Sequence, residues 1–188
     1  MNVYSIVLFL HIVGALGLFV ALGIEFLTLS RLRSAGTAEQ AREWLSVLGS
    51  IRVIGPLALA TILVPGLYMA ATSTGWQGWN VAALAAMVVM AALGAASNAA
   101  RMPGIGRSIG LLRGALPAEA RGRLRDPLVW SSILIRIGIA LGIVLNMTVK
   151  PDVVAAVVVL IAFALVGWGA ALVTGRGAQA LATEGSAS

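Results

Sequence analysis

The chain has no cysteine and a single histidine. Disulfides, thiolate metal sites, cysteine nucleophiles and any two-histidine ligand pair from one chain are therefore excluded. Charge is also scarce. Only 11% of the 188 residues are charged, against about 25% in soluble domains. There is no Ser/His/Asp set, no paired carboxylates and no two-histidine metalloprotease motif, so the reading leans away from an enzyme.

Apolar residues make up 60% of the chain, and the mean hydropathy is +0.98. That is the composition of a membrane protein. Twelve arginines stand against one lysine in an Ala-, Gly- and Val-rich background, a bias that suggests a GC-rich bacterial genome. A net charge of +6 would suggest a nucleic-acid partner in a soluble chain. Here the basic residues flank apolar segments, and no basic helix or RNA-binding signature accompanies them. No nucleic acid is expected; the lipid bilayer is the expected surrounding.

About 20 apolar residues at 1.5 Å each cross a hydrocarbon core. Five stretches qualify: Tyr4–Leu29, Val53–Ala71, Val81–Ala99, Leu128–Val149 and Val153–Val173. The first has no basic leader and no small-x-small site after it, so it reads as a span and not as a cleavable signal. The predicted fold is an all-α bundle of five transmembrane helices, one domain over residues 1–175, with a flexible tail at 176–188.

Arginines then set the expected orientation. Arg31, Arg33, Arg42 and Arg52 follow the first span, and Arg101, Arg107, Arg113, Arg121, Arg123 and Arg125 follow the third. The segment 72–80 carries no charge, and the fourth connection has only Lys150 and Asp152. Positive residues stay inside, so the N-terminus lies outside, the C-terminus is cytoplasmic, and the location is the inner membrane. Trp76 and Trp79, with Tyr68 deeper, read as an outer aromatic belt, and Trp130 as an inner one.

Thr37-Ala-Glu-Gln40 reads as a capping box opening a short helix through Trp44 and Leu48. That helix either lies in the interface with Trp44 and Leu45 in lipid, or covers the bundle. Pro117-Ala-Glu-Ala120 starts another helical turn. Gly104-Ile-Gly106-Arg-Ser-Ile-Gly110 has the wrong glycine spacing for a nucleotide loop, and no strand precedes it. Pro56 and Pro65-Gly66 read as kinks in the second span. No internal repeat is evident, which argues against an inverted-repeat transporter.

Four polar side chains fall at membrane depth: His11, Glu25, Arg136 and Asn146. An arginine at that depth costs ~2.5–3.5 kcal/mol on insertion scales, so it turns to a partner or a watery cavity. His11, Gly14, Ala15, Leu18, Leu22 and Glu25 share one face of the first helix. The fourth span runs in the opposite direction, which brings Arg136 within snorkelling reach of Glu25 and sets His11 level with Asn146 and Met147. An intramembrane Glu25–Arg136 pair is therefore expected, with a structural role favoured over a transport role; Arg52 is a competing partner for Glu25. His11 reads first as a packing residue and Asn146 as an interhelical contact. Met87 and Met90 also read as packing. Gly138-x-x-x-Gly142 forms a small-residue seam on another side of the fourth helix, which should be central in the bundle. That seam and the Ala-rich third span are candidate surfaces for a homo-oligomer or another membrane subunit.

Leu10-His11-Ile-Val-Gly14, followed by a Gly/Ala-rich span ending in arginines, resembles a group of small bacterial integral-membrane families. The group comprises domains of unknown function, the copper-resistance D-like proteins and the membrane-embedded protoporphyrinogen oxidases. Asn146-Met147-Thr-Val-Lys150-Pro151 is similar to the end of the four-span unit in the domains of unknown function. The resemblance covers about residues 1–151, with the fifth span as an addition. In the oxidases a first-span histidine is tied to haem, and it would map onto His11. The additional histidine and the basic residues that follow it have no match here. The resemblance implies haem held by His11 with Met147, or copper held by His11, Met69 and Met147, since thioether and imidazole suit Cu(I). The leading expectation is a non-enzymatic transporter or accessory membrane subunit; the alternative is a haem- or copper-handling redox protein.

Overall fold

The computed structural model describes the backbone of residues 2–100 and 102–184. Residues 1, 101 and 185–188, and the side chains at 50–52, 98–100 and 176–184, lie outside the described residues. The expectations on the tail and on Arg52 as a partner of Glu25 therefore fall largely on undescribed side chains. The described residues form seven α-helices and one π-helical turn: α1 Val3–Arg33, α2 Ala38–Met69, the π turn Ala70–Thr74, α3 Gly78–Ala100, α4 Met102–Gly110, α5 Ala118–Leu124, α6 Pro127–Val149 and α7 Val153–Glu184. No strand occurs among the described residues. Five helices are long and apolar enough to cross a membrane, and each contains one of the expected spans. The chain is an all-α, multi-pass membrane protein.

The helices pair as two hairpins around α6. In the first hairpin, α1 lies along α2. Gly14 permits their closest approach: a Cβ there would stand 2.7 Å from the backbone of Thr61. In the second, α6 and α7 turn at Lys150, whose φ of 53° is a left-handed cap. Asp152 then accepts from the amides of Val154 and Ala155 at 2.9 and 3.0 Å, opening α7. The Gly138–Gly142 seam is used inside this hairpin. A Cβ on Gly138 would meet the Phe163 carbonyl oxygen of α7 at 2.2 Å. α7 answers with Gly167 against the Leu134 carbonyl at 2.3 Å. Small residues on both helices bring the backbones together, the usual way to gain dispersion energy where lipid removes any hydrophobic drive. Half of the apolar window of α6 is buried, against 11% for α7, so α6 is central, in contact with α1, α3 and α7.

The arginine-rich segments join into one cap at one end of the bundle. Thr37 pairs with Ala115, and the Leu116 amide donates to the Gly36 carbonyl. Arg42 donates to the Leu112 carbonyl at 2.8 Å, Arg121 to that of Leu116 at 2.9 Å, and Arg125 to that of Arg33 at 3.2 Å. Thr37 caps α2 as its sequence predicts, accepting from the Gln40 amide, while the Gln40 side chain reaches the Gly36 amide instead of that of Thr37. The capped segment is continuous with the second span, and Trp44 and Leu45 are half-buried against the core. The segment with closely spaced glycines is helix α4, its Met102, Ile105 and Ile109 buried.

Trp130 corrects the belt expectation. It is buried, with the Arg33 guanidinium 4.5 Å over its ring, Phe26 stacked at 5.3 Å and its indole N–H donating to Thr174. Aromatic–cation and stacking partners on α1 pull it inward and away from lipid. Trp76 and Tyr68 are exposed, while Trp79 is half-buried against the core.

Candidate functional site

Among the described residues α2 and α3 barely touch, although they are consecutive. α1 and α6 close the back of the gap between them, leaving a cleft with two chambers. The wider one holds about 620 Å³. Its lips are exposed, with Pro56 on α2 facing Ala91 and Ala95 on α3, and Pro103 of α4 lies at its capped end. Its back wall carries Glu25 and Arg136, 4% and 6% exposed.

The pair is bidentate. Arg136 Nη1 donates to Glu25 Oε2 at 3.1 Å, and Nη2 donates to Oε1 at 2.5 Å. This fork-to-fork geometry is the strong form of carboxylate recognition. Leu22 and Glu25 are both buried on α1, and Glu25 reaches Arg136 of α6, whereas His11 and Gly14 of the same expected face meet α2. Gly94 of α3 makes room for the guanidinium: a Cβ there would lie 3.1 Å from Nη1. One turn away, Ser132 donates to the Leu93 carbonyl at 3.2 Å and meets Ser97, tying α3 to α6 beside the charge. Arg136 Nε is buried and has no hydrogen-bond acceptor among the described residues.

The second chamber, about 50 Å³, is lined among others by His11, Gly66, Met87 and Met147. His11 Nδ1 lies 2.9 Å from the Ile62 carbonyl oxygen. A carbonyl only accepts, so Nδ1 carries the proton and Nε2 keeps its lone pair. Gly66 is needed here, since its Cβ would fall 3.1 Å from the imidazole. Pro65 has no amide to give the Thr61 carbonyl, and His11 donates to the carbonyl of the next residue in this loosened turn.

The expected residues thus divide into three places. Glu25 and Arg136 meet in the wide chamber, and His11 and Met147 line the narrow one. Asn146, fully buried, donates to the Ala156 carbonyl of α7 at 3.0 Å, holding the second hairpin. Met69 is buried but does not line the narrow chamber, where Met87 stands instead. Sequence reading assigned Met87 to packing, and gave Gly94 no role at all. An isolated glycine in a helical run was the available signal for the latter. The narrow chamber is far below the ~300–1,000 Å³ of a cofactor pocket, so a haem macrocycle does not fit beside His11. A single soft cation does suit its chemistry, with imidazole and thioether groups at hand. No group of three or more His, Cys, Asp or Glu residues suited to a hard metal occurs among the described residues.

Compared with models of known protein families, with curated proteins and with solved structures, the chain matches none.

Proposed function

We propose that the chain is a small, non-enzymatic transporter of the bacterial inner membrane, its N-terminus outside and its arginine cap in the cytoplasm. The observation that carries this reading is the wide chamber with the buried Glu25–Arg136 pair at its back and its lips open between α2 and α3. Ionisable groups inside a membrane protein commonly mark a substrate path. Gly138 and Gly142 are spent on α7, so a homo-oligomer or partner subunit would use the outward face of α3, where Val88 and Val89 are exposed.

Transport is tested in proteoliposomes with three tail-labelled fluorescent amphiphiles: a lysophosphatidate, a lysophosphatidylcholine and an alkyl trimethylammonium. Dithionite bleaches only the outer leaflet, so protein-driven crossing speeds bleaching above that of empty vesicles. At least one probe should cross faster with the wild type, and Glu25→Gln should abolish the gain while its circular dichroism stays helical. Bleaching at the empty-vesicle rate for all three would leave an accessory subunit as the better reading.

A second reading follows from one observation, the meeting of His11 and Met147 at the narrow chamber. In that reading the protein handles Cu(I) through His11 Nε2 with the thioethers of Met147 and Met87, and kinship with the copper-resistance D-like proteins would be its origin. Equilibrium dialysis against Cu(I) should retain one ion per chain and lose it in His11→Ala; retention by that variant would remove this reading.

A further inference from the structure

The wide chamber has one chemical demand that the protein does not meet. Arg136 is more than nine-tenths buried and lines the chamber, and its Nε–H has no acceptor. Both oxygens of Glu25 already accept from the two terminal nitrogens. Among the described residues, the unmet group of this wall is therefore a donor, the Arg136 Nε–H. A guest oxygen placed there would complete the guanidinium.

The rest of the chamber selects the remainder of the guest. Leu18, Leu22, Leu59 and Met90 make its sides apolar. Its volume of about 620 Å³ lies within the range of small-molecule pockets. Its exposed lips, Pro56 on α2 and Ala91 and Ala95 on α3, face outward from the bundle, so entry is from the bilayer and the guest's tail can extend back into lipid. Pro103 of α4 closes one end of the chamber, and the basic cap lies on that side, biasing the local field toward anions. An ionised oxygen on a guanidinium makes a short, charge-assisted hydrogen bond.

From these features we infer that the wide chamber binds a single-chain amphiphile with an anionic oxygen headgroup, a carboxylate or a phosphate monoester, the headgroup at Arg136 Nε and the chain between α2 and α3. This rests on the transporter reading for its physiological sense, but binding and crossing are separable measurements.

The test is native mass spectrometry of the full-length protein in detergent with oleate, oleoyl lysophosphatidate, oleyl alcohol and oleylamine. Gly55 lines the chamber, and a Cβ there meets nothing within 4 Å, so Gly55→Phe is the variant chosen to fill the space. Gly23, equally open and outside the chamber, supplies the control Gly23→Phe. At least one of the two anions should bind one per chain, roughly tenfold or more tighter than the alcohol or the amine. Gly55→Phe should lose that binding and Gly23→Phe should keep it. Preference for oleate would identify the carboxylate source, preference for the lysolipid the phosphate source, and either supports the inference. If Gly55→Phe melts below the wild type, Ala91→Trp on the opposite lip takes its place. Equal binding of alcohol and anion, or equal loss in both phenylalanine variants, overturns the inference. Anion binding without movement in vesicles would instead remove the transporter reading and leave this one standing.

Discussion

Removing one partner of the Glu25–Arg136 pair strands the other in a setting where both are over nine-tenths buried. The cost of such a stranded charge is about 3–5 kcal/mol, larger than the net worth of the intact pair, because desolvation is no longer offset. Arg136→Leu is therefore expected to lower unfolding stability by about that amount in mixed micelles. Adding Glu25→Gln should recover part of the loss, since the amide is cheaper to bury than the carboxylate. Additive losses in this double-mutant cycle would show that the two groups do not interact. His11 makes a different prediction. Its Nδ1–H bond to the Ile62 carbonyl is a single neutral contact, so His11→Ala should cost only about 1 kcal/mol in the same assay. A loss as large as that of Arg136→Leu would mean that His11 holds more than the α1–α2 crossing. Both sites were legible in the sequence for one reason: a polar side chain in an apolar run has few ways to be satisfied. Met87 was not, because its span is apolar on all sides and only packing decides which face meets the cleft.

Helix contacts in this protein are set by where a side chain is missing. Gly138→Val would drive a branched side chain into the Phe163 carbonyl, where even a Cβ would stand at 2.2 Å. The second hairpin must then open or shift, at a cost of about 1–3 kcal/mol or more for overpacking. Gly104→Ala, in a helix and with a Cβ that meets nothing within 4 Å, should melt no lower than the wild type, since Ala is favoured over Gly by ~0.5–1 kcal/mol, and it controls for helix propensity. A melt of Gly138→Val equal to that of the wild type would contradict the α6–α7 packing. At this scale the sequence was informative about existence and weaker about extent. The span expected at 53–71 is part of a helix that begins at Ala38, because the Thr37 cap starts a run that nothing interrupts before the membrane segment. Pro56 and Pro65 do not end it; the helix runs through both. The seam at Gly138 was visible as a pattern, but its partner was not: the sequence carries no sign that Gly167 of α7 closes it.

For the whole molecule, charge asymmetry and the arginine cap bear on the same question from two directions. Arginines beside the spans are expected on the cytoplasmic side because they resist translocation. In the fold two of them also bind carbonyls of the other basic segment, so Arg42 and Arg125 lock the two into one unit. A cap assembled in this way is a bulky object to carry across a bilayer, and its assembly should reinforce the orientation that the charges select. The lack of cysteine makes the orientation directly measurable, since any introduced thiol is the sole one in the chain. Leu111 in the cap is 93% exposed, and Trp76 at the opposite end is 60% exposed. In intact cells a membrane-impermeant maleimide should label Trp76→Cys and spare Leu111→Cys until the membrane is permeabilised. Labelling of Leu111→Cys alone in intact cells would invert the topology, placing the N-terminus and the uncharged 72–80 segment in the cytoplasm. It would also put the basic cap on the side where the positive-inside rule forbids it.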